Sequence, residues 1–251
     1  MSGRRFWIGS GWKMNKTRAE ALAWAEGVRP ALVAASSIVQ PFVIPPFTVL
    51  RDVAAAFADT PMLVGAQNLH WEDDGAWTGE ISGPMLRDCG ARLVEIGHSE
   101  RRRHFGETDD TVALKVAAAL RNGLTPLICV GETLTERDGG RAEAVVAAQT
   151  RAALSRVADP AATVLFAYEP VWAIGSSGAA ATPDQAARIG GVIRNAVSGR
   201  LAAPSPVLYG GSVTVQNAAA FLHCAAIDGL FVGRSGWSAD GFSALLCAPM
   251  Q

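Results

Sequence analysis

The chain has 251 residues, of which 49% are apolar and 18% are charged, and its 22 Lys and Arg nearly balance its 23 Asp and Glu. A chain of this length can bury one large core, so we expect a single domain over residues 1–251. The net charge of −1 and the lack of a basic run argue against a protein that binds nucleic acid or a membrane surface.

The cysteine pattern and the N-terminal residues are typical of a reduced, cytoplasmic protein. The four cysteines show no CxxC spacing: Cys89, Cys129, Cys224 and Cys247. The N-terminal segment MSGRRFWIG contains no apolar stretch long enough for a signal peptide. We expect Cys129 and Cys224 to be small core side chains rather than metal ligands or nucleophiles.

In chain order, one unit recurs: a short apolar or β-branched run, a loop, and an Ala-rich helical segment. Eight strands are predicted, at residues 5–9, 39–44, 62–65, 93–96, 126–130, 163–168, 206–209 and 229–232. Apolar spacings of three and four predict helices that include residues 19–33, 111–121, 141–157, 183–197 and 215–221. Thr108 or Asp109 is expected to cap one helix, and Thr182 followed by Pro183 is expected to begin another.

Strands that alternate with helices predict an α/β fold with a parallel sheet. Closing the sheet as a single-domain (β/α)8 barrel removes both of its edges. An open doubly wound sheet is the alternative, but no GxGxxG follows the first strand and the composition does not change between the halves. In a barrel, functional side chains lie on the loops that follow the strands.

The loop after the sixth strand has the composition of a lid. The strand ends at Glu169, where a carboxylate is placed like a catalytic base, although a solvated glutamate at a strand end is the simpler interpretation. Trp172 and Ile174 are large apolar residues in a loop that begins at Pro170 and continues through a run of Gly and Ser. Such a loop can be stiff in its middle and hinged at its ends, so it can exclude water from a site beneath it.

Two further candidates follow the first and fourth strands. Lys13 suits an anion or a developing negative charge, with a solvated surface lysine as the alternative. His98 opens a turn whose free N–H groups would keep the ring neutral and able to donate a hydrogen bond to a carbonyl oxygen; a structural core histidine is the alternative. As supporting residues, Glu100 is expected to pair with Lys13, and Arg101 with Glu80.

The loops after the last two strands, at residues 209–213 and 232–235, are rich in Gly and Ser. Small residues before a helix start present unpaired N–H groups, which hold a phosphate without a metal. Simple turns are the alternative, but the position after the last two strands of a barrel favours a phosphate site. We expect no metal, because the sequence shows no metal-ligand constellation, and we also expect no redox cofactor.

Together these motifs resemble those of triosephosphate isomerases. The similar segments span nearly the whole chain: WKMN at residues 12–15, GAQN at 65–68, TGEIS at 78–82, GHSERR at 97–102, AYEPVWAIG at 167–175 and YGGS at 209–212. The resemblance implies a TIM barrel that isomerises a phosphosugar through a cis-enediol. By position it implies Glu169 as the base, His98 as the electrophile and Lys13 as the electrostatic anchor.

The resemblance also implies a phosphate site and a subunit interface. The backbone residues expected at the phosphate are Gly175, Ser212, Gly233 and Arg234. Enzymes of this family are typically homodimers, in which the loop carrying Thr78 would reach the active site of the neighbouring subunit.

Three departures from the family pattern affect the expected substrate. Gly11 stands where the family has an Asn that faces the substrate, so we expect an empty space and a lost polar contact. Arg234 replaces the second of two glycines and either adds a cation near the phosphate or points to solvent. Residues 176–181 replace the usual Gly-Thr-Gly-Lys-Thr pattern with one extra residue, so the geometry of lid closure is expected to differ.

Other segments are similar to the tetrulose-phosphate branch of the family, whose members isomerise L-erythrulose 1-phosphate in four-carbon polyol catabolism. These segments are residues 6–9, 42–48, 70–71, 75–77 and 230–235, together with Trp237. This four-carbon substrate carries one more hydroxymethyl group than dihydroxyacetone phosphate, and Gly11 is expected to make room for it. His70 or Trp71 is expected either to line that space from the partner subunit or only to pack the subunit interface.

The expected function is therefore the interconversion of L-erythrulose 1-phosphate and D-erythrulose 4-phosphate. The triosephosphate isomerase reaction of glycolysis and gluconeogenesis is the alternative substrate assignment. A barrel that binds phosphosugars without turnover is an alternative of another class. The set of Lys13, His98 and Glu169 argues against it, because binding alone does not need a base together with an electrophile.

Overall fold

Eight parallel strands close into one barrel in the order in which they occur along the chain. The computed structural model describes residues 5–35, 37–174 and 180–250. The strands are β1 (Phe6–Gly11), β2 (Val39–Ile44), β3 (Leu63–Ala66), β4 (Leu93–Ile96), β5 (Thr125–Val130), β6 (Leu165–Tyr168), β7 (Val207–Tyr209) and β8 (Gly229–Val232). The helices around them are α1 (Arg18–Ala35), α2 (Phe47–Ala56), α3 (Gly83–Asp88), α4 (Ser99–Phe105), α5 (Asp109–Arg121), α6 (Leu134–Asp138), α7 (Ala142–Ala153), α8 (Pro183–Val197), α9 (Ala218–Leu222) and α10 (Ala239–Leu246).

The barrel confirms the predicted fold class and excludes the open doubly wound sheet, because β8 pairs with β1. All eight strands lie where apolar runs predicted them, and β1 continues beyond the predicted end at residue 9 as far as Gly11. The five predicted helices are also present, although α7 ends at Ala153 and α9 begins only at Ala218. Among the described residues, no helix is long and apolar enough to cross a membrane.

Capping residues explain where two of the long helices begin. The Thr108 side chain accepts a hydrogen bond from the backbone N–H of Thr111 at the start of α5. Thr182 does the same with the N–H of Gln185 at the start of α8, where Pro183 occupies the first turn. Each threonine satisfies a donor that has no partner within its own helix. Both predicted helix starts are therefore confirmed.

Alternate residues of each strand point into the barrel or outward against the helices. One buried apolar cluster lies inside the barrel: Phe42, Ile44, Leu93, Leu127, Cys129, Leu165, Ala167, Leu208 and Phe231. The other lies between the sheet and the helices and includes Val94 and Ile96 of β4. Because strands of a parallel barrel are buried on both faces, they are nearly continuous apolar runs. Among the residues of these eight strands only Glu95 is charged, and because it lies between Val94 and Ile96 it points into the barrel.

Candidate active site

The carboxyl ends of the strands surround one cavity of about 630 Å³. Every described residue that was predicted to contact substrate lines it: Gly11, Lys13, His98, Glu169, Ser212, Gly233 and Arg234. The supporting residue Glu100 lines it as well, whereas Arg101 and Thr78 do not. Gly175, predicted to contact the phosphate, lies outside the described residues. Side chains far apart along the chain thus meet at one end of the barrel, as the loop positions predicted.

Glu169 is the first residue after β6, and its side chain is 5% exposed. Its backbone N–H donates to the carbonyl oxygen of Val130, which extends the sheet by one more contact. Gly210 makes room for the side chain, since a Cβ there would lie 2.7 Å from Glu169 Cγ. Burial raises the pKa of the Glu169 carboxyl, and the neighbouring His98 and Lys13 offset this only in part. A carboxylate that is poorly solvated is a stronger base than one in water, which suits proton abstraction.

His98 follows Gly97, whose φ of 77° lies in the left-handed region that glycine adopts without strain. The ring Nδ1 accepts a hydrogen bond from the backbone N–H of Glu100 at 3.1 Å. Nε2 therefore carries the proton of the neutral ring, and it lies 3.5 Å from Glu169 Oε2. Because an imidazolium has a proton on both nitrogens, the Nδ1 contact belongs to the neutral ring.

The charges around His98 act against that neutral form. Burial lowers the pKa of His98, but the carboxylates of Glu169 and Glu95 raise it, and the net shift is upward. This upward shift needs both carboxyls to be ionised, and the pKa of each of them is itself raised by burial. We therefore assign the neutral ring on the geometry of Nδ1, which leaves an N–H directed into the cavity.

Lys13 has a φ of 53°, which is a strained backbone conformation for a residue other than glycine. The Gln67 side chain holds it there by donating to the Lys13 carbonyl oxygen at 2.8 Å and to that of Ile44 at 3.3 Å. The Lys13 ammonium group lies 2.5 Å from a carboxylate oxygen of Glu100. The predicted Lys13–Glu100 pair is confirmed, and it directs the ammonium group toward the cavity.

Arg101 does not pair with Glu80, so that prediction was wrong. Its guanidinium group contacts the carboxylate of Glu107, which also binds the buried ammonium group of Lys115. Lys115 in turn donates to the side-chain oxygen of Asn68 at 2.8 Å. The partner is local because the chain after α4 folds back and brings Glu107 beside Arg101, whereas Glu80 lies exposed on the loop after β3. Arg101 therefore supports the β3 and β4 loops from beneath and does not line the cavity.

The two loops predicted to hold phosphate face the same cavity. Ser212 donates its hydroxyl proton to the carbonyl oxygen of Ala173 at 2.7 Å, which joins the β7 loop to the β6 loop. Gly233 precedes a 3-10 turn over Arg234–Gly236, and apart from its chain neighbours no atom of the described residues lies within 4 Å of where its Cβ would be. The Arg234 side chain is exposed at the edge of the cavity. The first N–H groups of a helical turn can bind an anion, and this edge of the cavity presents such a turn.

The first residues of the predicted lid are anchored on Glu132, a fully buried residue that follows β5. Trp172 Nε1 donates to its carboxylate at 2.8 Å, and the Tyr168 hydroxyl donates to the same oxygen at 3.2 Å. Arg137 pairs with this carboxylate and lies over the Trp172 ring. Sequence reasoning missed Glu132, although an acidic residue two positions after a strand was an available signal. The rest of the predicted lid, including Gly175, lies at residues 175–179 outside the described chain.

The space expected beside Gly11 is not empty, which corrects the sequence prediction. A Cβ at Gly11 would lie 2.9 Å from Cζ of the Phe231 ring. That ring stacks on Phe42 inside the barrel, with 5.7 Å between centroids. The loss of the Asn side chain is therefore accompanied by an aromatic ring on β8 that closes the gap. The sequence did not reveal this because the two positions are neighbours only in the closed barrel.

Glu95 lines the cavity and was not predicted as a site residue. Its carboxylate, the His98 ring and the Glu169 carboxylate each place a polar atom within 4.8 Å of the others, a spacing that would also suit a metal ion. The signal was a single acidic residue in the apolar run Leu93–Ile96, at a position that alternates inward. Cys129 is buried beside it, and burial raises the pKa of this thiol far above its usual value, as expected for a core cysteine.

The loop after β3 carries the residues predicted at a subunit interface. His70 is buried; its ring stacks on Trp71 with 4.2 Å between centroids and makes a tilted contact with Trp77 at 4.4 Å. Its Nδ1 accepts the backbone N–H of Glu72 at 3.0 Å. Thr78 is exposed at the end of this loop. None of these residues lines the cavity of its own chain, so their contact with a second copy stays a prediction.

Several known proteins are similar to this chain over most of its length. A family model described as triosephosphate isomerase matches residues 6–248. The chain is 56% identical over 243 residues to the L-erythrulose-1-phosphate isomerase of Mesorhizobium japonicum, with 96% of each chain covered. It is 54% identical to the protein of that name from Brucella abortus, with 96% of this chain and 95% of the relative covered. The protein of that name from Rhizobium rhizogenes is 50% identical, with 96% and 94% covered.

The barrel, the cavity and these similarities define an isomerase of the aldose–ketose type that acts on a small phosphosugar. The chain belongs to the triosephosphate isomerase family.

Proposed function

We propose that this protein interconverts L-erythrulose 1-phosphate and D-erythrulose 4-phosphate in the catabolism of four-carbon polyols. The observation that carries the four-carbon assignment is the 50–56% identity, over nearly full length, to relatives named for L-erythrulose 1-phosphate. Gly11 in place of the family Asn, with the Phe231 ring packed against it, also changes the cavity wall from the family pattern.

The reaction moves the carbonyl group by one carbon. Glu169 removes the proton from the carbon that bears the hydroxymethyl group, and the electrons form a cis-enediolate. His98 donates a hydrogen bond through Nε2, and Lys13 places a positive charge by the same oxygen, so that negative charge is stabilised as it develops. Glu169 then returns the proton to the adjacent carbon, and the hydroxyl proton passes between the two oxygens. Atoms and charge balance without any other reactant.

The phosphate end of the substrate lies at the β7 and β8 loops. Ser212, Gly233 and Arg234 line the cavity there, and their backbone N–H groups are assigned to the phosphate together with that of Gly175 of the lid. Closure of the lid over the substrate excludes water and prevents loss of phosphate from the enediolate. The anchored start of the loop, with Trp172 on Glu132, supplies a fixed hinge for that motion.

A steady-state assay with both substrate classes tests the proposed function. We expect a higher kcat/KM for L-erythrulose 1-phosphate than for glyceraldehyde 3-phosphate. A preference for the three-carbon compound would instead make this protein a triosephosphate isomerase. Binding of either compound without turnover would indicate a phosphosugar-binding barrel and would contradict the roles of Glu169 and His98.

We also propose that the protein works as a cytoplasmic homodimer, in which Thr78 approaches the active site of the second copy. Large apolar side chains are exposed on this loop and on the loop after β1: Trp77 is 48% exposed and Met14 is 96% exposed. Sedimentation equilibrium should give twice the chain mass. Trp77→Asp should weaken the dimer, whereas Leu134→Asp, a control on α6 where Leu134 is 53% exposed, should leave it intact. A fully active monomer would refute the dimer.

A further inference from the structure

Glu95 is a charged residue inside the barrel for which the reaction described above has no use. Only 7% of the residue is exposed, and what is exposed faces the cavity. Its neighbours along the inner face of the barrel are apolar, with Leu93 on its own strand and Leu127 opposite it in register on β5. A carboxyl placed there loses most of its hydration, which is unfavourable unless another group binds it.

The described part of the chain offers Glu95 only a weak partner. The Cys129 thiol lies 3.8 Å from one carboxylate oxygen, and no Lys or Arg forms an ion pair with it among the described residues. Burial raises the pKa of Glu95 to about 7, and a positive charge on His98 would act in the opposite direction. Near neutral pH this carboxyl is present both with and without its proton, so it can donate or accept a hydrogen bond.

The position of Glu95 identifies which part of a substrate it meets. The phosphate is held by the β7 and β8 loops, while Glu95 lies on β4, on the opposite side of the barrel. Its carboxyl group lies within 4.8 Å of the Glu169 carboxylate that removes the proton. In a four-carbon substrate, the hydroxymethyl oxygen is only one C–C and one C–O bond from the carbon that loses the proton. Glu95 therefore lies within reach of this hydroxyl group.

We infer that Glu95 binds the free hydroxymethyl hydroxyl of the substrate and so selects sugars that extend beyond the carbon that loses its proton. This inference rests on the proposed four-carbon function. It assigns to the cavity a polar subsite for the non-phosphorylated end at Glu95, which lines the cavity. A three-carbon substrate leaves this subsite without a partner, and an unpaired buried carboxyl disfavours that complex.

A comparison of substrate and enzyme variants tests the contact. Wild-type protein and Glu95→Leu are assayed with L-erythrulose 1-phosphate and with its 4-deoxy analogue, which has a methyl group in place of the hydroxymethyl group. We expect loss of the substrate hydroxyl to lower kcat/KM of the wild type by about 10- to 100-fold. In Glu95→Leu the two compounds should differ by less than about threefold, because neither has a partner at the subsite.

Two further variants separate this contact from a structural role. Glu95→Gln keeps the shape and a hydrogen-bonding group, so it should retain part of the discrimination between the two compounds. Glu107→Gln removes a buried carboxylate outside the cavity and should leave that discrimination as in the wild type. Equal discrimination by Glu95→Leu and the wild type would overturn the inference. An equal loss of activity toward both compounds in Glu95→Leu would also overturn it, because Glu95 would then act only through Glu169.

Failure of the proposed function gives a different result. If the wild-type protein does not turn over L-erythrulose 1-phosphate, the four-carbon assignment is refuted. The same two compounds can then be compared as competitive inhibitors of the reaction with glyceraldehyde 3-phosphate. A tenfold difference in their inhibition constants that disappears in Glu95→Leu would still support the contact, and the lack of any difference in the wild type would refute it.

Discussion

Gly11 and Phe231 form a pair at the cavity wall, and substituting both tests whether they select the substrate together. Gly11→Asn restores the side chain that the family pattern has at this position. An added Cβ would lie 2.9 Å from Cζ and 3.2 Å from Cε2 of the Phe231 ring, so the ring must move. Phe231→Leu removes that ring and should allow the Asn side chain to face the substrate.

The magnitude follows from the crowding at this contact. Inserting atoms into a packed core costs about 1–3 kcal/mol. For a chain of this size, that corresponds to a decrease in Tm of about 2–12 °C for Gly11→Asn alone. Because Phe231→Leu removes the obstructing ring, the double variant should recover part of the loss, with a coupling free energy of about 0.5–3 kcal/mol. Gly11→Asn combined with Phe166→Leu, a ring outside the barrel interior, should show no coupling.

Thermal unfolding of the single and double variants measures this coupling, and steady-state kinetics measure selectivity. We expect the double variant to shift the ratio of kcat/KM by at least about tenfold toward the three-carbon substrate. Two results would refute the reasoning: additive changes in the free energy of unfolding, or a substrate ratio that does not change in the double variant.

Four other predictions follow from the geometry of the site and its supports. Glu169→Asp moves the carboxylate back by one carbon and should lower kcat by at least about 100-fold with little change in KM; a kcat near the wild-type value would exclude Glu169 as the base. Glu132→Gln removes the charge that anchors the start of the lid and should lower kcat by about tenfold, whereas an unchanged kcat would show that the anchor is dispensable. Lys115→Met leaves the buried carboxylate of Glu107 without its ammonium partner and should lower the free energy of unfolding by about 3–5 kcal/mol, measured by denaturant titration; a loss below about 1 kcal/mol would contradict this. Burial raises the pKa of Glu95 from 4.5 to about 7, so the folded protein retains a proton that the unfolded chain releases. Its contribution to the free energy of unfolding should therefore fall as pH rises from about 4.5 to 7, and Glu95→Gln should remove that part of the pH dependence.

Most of the fold could be predicted from the sequence because local chemistry determines it. Strands buried on both faces are uninterrupted apolar runs, and Thr108 and Thr182 cap their helices through contacts within a few residues. The first strand is longer than its apolar run indicated, since Ser10 and Gly11 pair with β2 although neither is apolar. That pairing depends on the neighbouring strand β2 and not on the residues of β1 alone.

The site was predictable where a side chain directly follows a strand, and less so where its environment depends on other strands. Glu169 and Lys13 occupy strand ends, so the barrel alone brings them together. The ring of Phe231 beside Gly11 and the inward position of Glu95 depend on which strands face each other across the barrel. The partner of Arg101 was missed for the same reason, because the choice between Glu80 and Glu107 is made by the path of a loop.

The protonation state of Glu95 affects the net charge that an anionic substrate meets at the barrel mouth. The carboxyls of Glu95, Glu100 and Glu169 all act on the His98 ring, and the ammonium group of Lys13 is already paired with Glu100. If all three carboxyls were ionised, an anionic phosphosugar would meet a net negative site. A Glu95 carboxyl that keeps its proton near neutral pH reduces this repulsion and becomes a hydrogen-bond donor at the end of the cavity away from the phosphate. Burial of the Glu95 carboxyl is unfavourable when the cavity is empty. For the same reason, it favours a substrate that places a hydroxyl group beside this carboxyl.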